Sequence, residues 1–211
     1  MGTRLRQGLS YCLVDDRPVF LDILADRYFA LSAASSMRFM GLVDEPDRAS
    51  FDPEPEIAGL FELYDGPNDI APTTIGVPQL DVMPRRAGFS ITSLSILYAH
   101  ASAWLMLRTL PLHKMLRHVS GTSVHRRKDG DIAQCAAAFR ASDAIVARTD
   151  RCLLKAIAMS LYLRRSGFRA QMVFGVTRDP FRAHCWLQSD TLLLNESYDI
   201  ARNFTPILVV R

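Results

Sequence analysis

The feature that most constrains the fold is a proline-rich stretch in the first half of the chain, between Gly66 and Pro84. It contains four of the eleven prolines and two of the eleven glycines. Proline fixes φ and has no amide hydrogen to donate, so such a stretch suits a connection better than the interior of a helix or sheet. The sequence therefore predicts two folded units, residues 1–65 and 89–211, joined by a linker over residues 66–88.

The balance of charge changes sign at the same stretch. Residues 1–88 have eight basic and 14 acidic side chains, a net charge of −6, whereas residues 89–211 have 17 basic and eight acidic side chains, a net charge of +9. This difference predicts two units with different surfaces. Of the 211 residues, 49% are hydrophobic and 22% are charged, which provides enough apolar material for a core and excludes global disorder.

The first unit begins with strand patterns and continues with helical ones. Apolar runs separated by turn residues predict strands over residues 9–14, 19–24 and 28–31. Ser32 is a suitable N-cap for a helix over residues 33–43, and a second helix is predicted to run from Asp52 and Pro53 through Tyr64. Three strands followed by two or three helices predict a small winged-helix-like module.

The second unit has the opposite order, with helices before strands. The spacing of apolar residues and the stop signals predict helices over residues 91–109, 111–118, 132–147 and 153–165. Strands are predicted over residues 170–176, 183–188 and 192–196. Helices followed by an antiparallel sheet are typical of the α+β class.

Residues 87–107 carry no formal charge and resemble a membrane span at first sight. The stretch includes four serines, a threonine and a histidine, however, and this polar content favours a buried helix. The N-terminal residues lack the apolar region of a signal peptide, so the expected location is the cytoplasm. The four cysteines form no CxxC pair, which predicts free thiols rather than a disulfide scaffold or a zinc site.

Cys152 falls in the first turn of a predicted helix, just after Thr149 and Asp150, either of which is a possible cap. A thiol at this place feels the positive end of the helix dipole and lies near unpaired backbone N–H groups. Both favour the thiolate, which is the form that attacks a carbonyl carbon. The alternative is a small core residue, the commonest role of a free cysteine.

His184 lies in a predicted strand that can meet the Cys152 helix, as a nucleophile and its general base require. Side chains alternate along a strand, so Cys185 is predicted to point to the opposite face and to serve packing. Trp186 shares the face of His184, where it either shields the site from water or anchors the core.

A histidine base needs a third group that fixes its tautomer and stabilises the imidazolium. The predicted strand after the turn at residues 189–191 ends in Glu196, a carboxylate that closes a run of three leucines. We predict that Glu196 orients His184. Asn195, Asp190 and Asp199 remain alternatives for this third position.

Two segments of the chain, one around Cys152 and one around His184, resemble a single known family. Residues 152–170, CLLKAIAMSLYLRRSGFRA, resemble the catalytic-cysteine helix of that family. Residues 173–188, VFGVTRDPFRAHCWLQ, are similar to its G-V-x-x-x-P-F-x-x-H-x-W segment. The family that these two segments resemble is that of the lasso-peptide biosynthesis B proteins. The family usually carries Asp where this chain has Glu196, and a papain-like site that uses Asn195 instead of a carboxylate stays open. The resemblance implies a transglutaminase-like, papain-like cysteine peptidase with Cys152, His184 and Glu196 as its catalytic residues.

The first unit resembles the small winged-helix element that binds leader peptides in that family. The resemblance rests on Asp22 followed by the run Tyr28-Phe29-Ala30-Leu31. A leader is expected to add a strand beside this run and to pack against the predicted helix over residues 54–64. The predicted leader-binding residues are Tyr28, Phe29, Ala30, Leu31, Ile57, Leu60, Phe61 and Tyr64.

The resemblance implies a leader peptidase that frees the N-terminal amine of a ribosomally made core peptide. The implied partners are the precursor peptide and an ATP-dependent, asparagine-synthetase-like macrolactam synthetase. No cofactor and no metal are expected in this chain. Acyl transfer to an amine, as in true transglutaminases, and a non-catalytic leader-binding adaptor are the alternatives. A nucleic-acid partner is disfavoured for the first unit, because its net negative charge repels phosphate.

Overall fold

The computed structural model of the chain describes residues 1–45, 55–84, 91–120, 131–146 and 152–211. The chain divides into two compact units, Met1–Thr74 and Ile75–Arg211. Both units combine helices and strands, so the mixed α/β character predicted from the sequence is confirmed.

The first unit contains two small antiparallel sheets and two helices. Its elements in chain order are β1 (Gly2–Leu5), β2 (Leu9–Val14), β3 (Arg17–Asp22), β4 (Arg27–Ala30), α1 (Ala33–Asp44), α2 (Pro55–Ala58) and β5 (Phe61–Tyr64). One sheet has the order β2-β3-β4, and the other pairs β1 with β5. Asp15 and Asp16 both have positive φ and form the two-residue hairpin turn between β2 and β3.

Aromatic rings form the core of this unit. Phe39 of α1 is fully buried, and its ring centroid lies 5.0 Å from that of Phe20 and 5.1 Å from that of Tyr11. The Phe61 ring of β5 also stacks on the Phe39 ring, with 5.7 Å between the two centroids. The predicted N-cap of α1 is confirmed, since Ser32 Oγ accepts the backbone N–H of Ser35 at 3.1 Å. The winged-helix assignment of the unit stays a prediction.

The predicted helix over residues 52–64 is wrong in its second half. Helix α2 ends at Ala58, and residues 61–64 form β5, which pairs antiparallel with β1. Gly59 disfavours continuation of the helix, and Phe61 and Tyr64 suit a strand once β1 supplies hydrogen-bond partners. Residues 52–54 lie outside the described part of the chain.

The stretch predicted as a linker contributes residues to both units. Ile70 is buried in the core of the first unit. Residues Leu80–Asp81 form strand β6 of the second unit, which pairs in parallel with a later strand. Residues 85–88 lie outside the described part.

The second unit is a five-stranded sheet with helices packed against it. Its further elements are α3 (Ile91–Thr109), α4 (Leu112–Ser120), α5 (Ile132–Val146), α6 (Cys152–Arg165), β7 (Gln171–Thr177), β8 (Arg182–Gln188), β9 (Leu192–Leu193), α7 (Tyr198–Ala201) and β10 (Thr205–Val210). The sheet order is β10-β7-β8-β9-β6. Helix α6 contacts both α3 and β8, which brings the start of α6 close to the central strand.

Four predicted helices of this unit are confirmed within one residue or two at their ends. Strand β9 is shorter than predicted, and the sequence reading missed α7 and β10. The turn after α6 uses Gly167 with a φ of +86°, the left-handed conformation expected at its C-terminus. None of the helices that the structure describes combines the length and hydropathy needed to cross a membrane.

Candidate active site

Cys152 is the first residue of α6 and is half-buried. Burial alone would raise the pKa of its thiol, but the hydrogen bond with His184 and the charge of that ring lower it. The backbone N–H groups of Cys185 and Leu153 also donate to the sulfur and favour the thiolate. The predicted caps at residues 149 and 150 lie outside the described residues.

His184 of β8 lies between the thiol and a carboxylate. Its Nε2 is 2.7 Å from Glu196 Oε2, which leaves Nδ1 as the ring nitrogen for the hydrogen bond with Cys152. Burial alone would lower the pKa of His184, yet the hydrogen bonds with Cys152 and Glu196 and their negative charges raise it to about 9. The lowered pKa of the thiol and the raised pKa of the imidazole together favour a thiolate–imidazolium pair.

Glu196 follows β9 and reaches across to β8. Burial alone would raise its pKa, but hydrogen bonds from His184 and from the backbone N–H of Ser197 lower it. The N–H of Ser197 donates to Oε1 at 2.9 Å, so both carboxylate oxygens have partners. The positive charge of Arg140 on α5 lowers the pKa further, and the Arg140 side chain is itself held by a hydrogen bond to the carbonyl of Val82.

The three alternatives for the third position lie elsewhere. Asn195 Oδ1 accepts the backbone N–H of Leu187 at 2.7 Å, so this side chain fastens the chain to β8. Asp190 accepts a hydrogen bond from Gln171 at 3.3 Å at the other end of the sheet. Asp199 is largely exposed beside Arg202. Among these candidates, the structure brings Glu196 alone into hydrogen-bond contact with His184.

An apolar floor supports the His184 ring. The centroid of Phe204 lies 5.0 Å from that of His184, and that of Trp186 lies 6.1 Å away. Gly175 pairs with His184 across the β7–β8 ladder. A Cβ atom at Gly175 would lie 2.7 Å from the Trp186 ring and 2.9 Å from the Phe204 side chain, so the floor needs glycine there.

The residues beside His184 on β8 have structural roles. Trp186 is fully buried, and its indole N–H donates to Gln188 Oε1 at 2.9 Å. Gln188 in turn donates to the carbonyl of Gly76 at 2.9 Å. Cys185 is buried on the other face, and burial, followed by the charge of Cys152, raises the pKa of its thiol well above the ordinary value. Packing is therefore the role of Cys185, as the alternation along the strand predicts.

Sequence reasoning missed several residues of this site. Phe204 and Arg140 carry no local motif, and each reaches His184 or Glu196 only through the packing of distant elements. Of these residues, Gly175 alone could have been predicted from the sequence. An isolated glycine inside a strand pattern often marks a close approach of another side chain.

The predicted leader-binding residues fall into two groups in the structure. Strand β4 includes residues 28–30 and pairs with β3 at the edge of its sheet. The second group does not form an exposed helix face, because Ile57, Leu60 and Phe61 are buried in the core. Leu31 is buried there too, and Tyr64 belongs to β5, where the Arg4 guanidinium lies 4.5 Å from its ring.

Within the described ranges, no group of three or more His, Cys, Asp or Glu side chains is arranged to hold a metal ion. All four cysteines are free thiols.

Comparison with known proteins agrees with this geometry. The protein family described as the transglutaminase-like superfamily matches residues 95–209, which is more than half of the 211-residue chain. The chain belongs to the transglutaminase-like superfamily. No curated protein and no solved structure matches it.

The transglutaminase-like match spans the whole candidate site, from α3 to β10. Members of this superfamily usually have a Cys-His-Asp triad, and the domain is compatible with either cysteine peptidase or acyltransferase activity. In this chain the carboxylate that contacts His184 belongs to a glutamate, Glu196. Its longer side chain still reaches His184 Nε2 at 2.7 Å.

Proposed function

We propose that this protein is a cysteine peptidase that binds and removes the leader of a ribosomally made lasso-peptide precursor. The observation that carries the proposal is the contact of Cys152 with His184 and of His184 with Glu196 at the start of α6. The motif resemblance around Pro180, Phe181 and Trp186 supports the choice of a leader peptide as substrate.

The proposed reaction uses these three side chains in order. The Cys152 thiolate attacks the carbonyl carbon at the leader–core junction, and a tetrahedral oxyanion forms. The backbone N–H of Cys152 is the candidate donor to that oxyanion. His184 then gives its proton to the leaving amine, which departs as the core peptide with a free N-terminus. Glu196 holds the ring while water, deprotonated by His184, hydrolyses the thioester to the leader carboxylate.

Leader recognition is assigned to strand β4 of the first unit. In the described part of the chain β4 pairs with β3 alone, so an added strand from an extended peptide can continue the sheet. Phe29 is partly exposed and lies over Phe20, which gives an apolar leader side chain a surface to contact. Residues 1–74 have six basic and 13 acidic side chains. This negative net charge favours a neutral or basic leader.

The amine that the reaction releases requires a second enzyme in this proposal. An ATP-dependent, asparagine-synthetase-like macrolactam synthetase joins that amine to an acidic side chain of the core. ATP belongs to this partner, and the proposed hydrolysis itself uses only water.

The test is incubation of the full chain with a lasso-peptide precursor encoded beside its gene, followed by mass spectrometry. A cleaved leader with a free carboxylate, absent with the Cys152→Ala variant, is the expected result. Addition of a primary amine separates the alternative reaction, since an amide adduct of the leader would mean acyl transfer. Leader binding without either product would contradict the proposal and favour an adaptor.

A further inference from the structure

Helix α3 has apolar side chains on two opposite sides. One side faces α6 and buries Ile96, Ala99 and Ala103. The opposite side is exposed, although a helix that is apolar all round is normally covered. The exposed fractions are 59% for Leu94, 53% for Leu97, 60% for Tyr98, 43% for Trp104 and 55% for Leu105. Together with the exposed Ala101, these residues form what we call the α3 stripe.

The spacing of the α3 stripe suits a second helix. Leu94 and Ala101 are seven residues apart, and so are Leu97 and Trp104, and Tyr98 and Leu105. A heptad spacing of this kind gives a straight seam about 15 Å long between residues 94 and 104. The small Ala101 lies at the middle of the seam, between larger side chains, where a side chain of a facing helix can pack. A flat bilayer surface has no side chain that could pack at Ala101, so the spacing favours a helix over a membrane.

The charges beside the stripe are positive. The Arg108 guanidinium lies 4.2 Å from the centroid of the Trp104 ring, and that of Arg165 lies 4.4 Å from the centroid of Tyr98. The sequence of α3 contains no carboxylate, and neither arginine has an ion pair with a residue that the structure describes. Two copies of this face would bring like charges together, whereas a partner with carboxylates would complement them.

We propose that the α3 stripe docks an amphipathic helix of a partner protein, whose apolar seam is flanked by Asp or Glu. The apolar seam packs against Leu94, Leu97 and Leu105, and the flanking carboxylates meet Arg108 and Arg165. This surface lies apart from Cys152, His184 and Glu196, so the inference does not rest on the proposed peptidase activity.

The probes are two designed 21-residue helical peptides with the same leucine seam, one flanked by Glu and the other by Lys. Fluorescence of Trp104 reports binding, because Trp186 is already fully buried and its signal changes little. We expect the Glu peptide to bind about tenfold more tightly than the Lys peptide, since two exposed ion pairs are gained in one case and two repulsions in the other. The double variant Arg108→Glu, Arg165→Glu is expected to invert this preference.

Leu97→Asp is expected to abolish binding of the Glu peptide. Met37→Asp, at an exposed apolar residue of α1, is the matched control and is expected to bind normally. Thermal unfolding of each variant checks that it is folded, since both residues are more than half exposed. Equal binding of both peptides, or none, would overturn the proposal. The proposal would also be overturned if the wild-type chain self-associated and Leu97→Asp did not. Binding of the chain to anionic vesicles in preference to the Glu peptide would overturn it as well.

Discussion

The two units of this protein use their interiors differently. In the first, Tyr11, Phe20 and Phe39 pack ring against ring, and the buried charge of Asp22 is paired with Arg6 and with two backbone N–H groups. In the second, two charged side chains that contact each other, His184 and Glu196, lie only 16% and 19% exposed beside the Cys152 thiol.

The difference separates residues that stabilise a fold from residues that we propose perform chemistry. A buried aromatic contributes stability through the apolar area that it removes from water. A partly buried imidazole and carboxylate contribute little stability and instead set the protonation state of a nucleophile. Substitutions in the two places should therefore have opposite signatures, with loss of stability in one and loss of reactivity in the other.

The largest effect is expected at the thiol. Cys152→Ala should reduce leader cleavage at least about a thousandfold, while the free energy of unfolding changes by less than about 1 kcal/mol. His184→Ala should be equally damaging, and the double variant little worse, because the two residues act as one unit. Cleavage rates by mass spectrometry and urea unfolding measure the two quantities. Defects that multiply in the double variant would mean that His184 acts independently of Cys152.

The opposite signature is expected at the aromatic core. Phe39→Ala should lower the free energy of unfolding by about 3–5 kcal/mol, since it removes a fully buried ring. Met37→Ala on the same helix is the control, and its 73% exposure predicts a change within about 0.5 kcal/mol. Under conditions where the Phe39→Ala protein is folded, iodoacetamide should alkylate Cys152 at the wild-type rate. A slower alkylation would show that the aromatic core also affects the reactivity of Cys152, which would contradict the separation of the two roles.

A smaller effect is expected when the carboxylate loses its charge. Glu196→Gln should reduce cleavage about ten- to a hundredfold, less than either Cys152→Ala or His184→Ala. The carboxylate stabilises the imidazolium, so its removal should lower the pKa of His184 and shift the alkaline limb of the rate profile to lower pH. Asn195→Ala and Asp199→Asn are the matched controls. If either variant shifts that limb and Glu196→Gln does not, Glu196 is not the orienting group.

The smallest effect on cleavage is expected when only the pH is changed and the protein is the wild type. Cleavage requires the thiolate and the imidazolium together, so kcat/KM should rise as Cys152 deprotonates below its ordinary range and fall as His184 loses its proton near pH 9. Alkylation by iodoacetamide requires only the thiolate and should persist above pH 9. Parallel loss of cleavage and alkylation above that pH would contradict the ion pair.

Local sequence signals were sufficient for most elements and, together with the family resemblance, for Cys152 and His184. Cys152 follows polar cap residues and His184 lies in a strand pattern. For the third position the sequence predicted Glu196 and left Asn195, Asp190 and Asp199 open. The same kind of reasoning failed over residues 61–64. Their strand exists because β1, about 60 residues earlier in the chain, supplies its hydrogen bonds.

The sequence by itself determined the long helices of the second unit, its central strands, the division of charge and the candidate residue types of the site, because these depend on local periodicity and composition. Tertiary structure alone decided that Glu196 rather than Asn195 contacts His184, and that Phe204 and Gly175 form the floor beneath the ring. It also decided which side of α3 is left exposed. These are contacts between residues far apart in the chain, and their geometry is fixed only when the sheet and helices pack together.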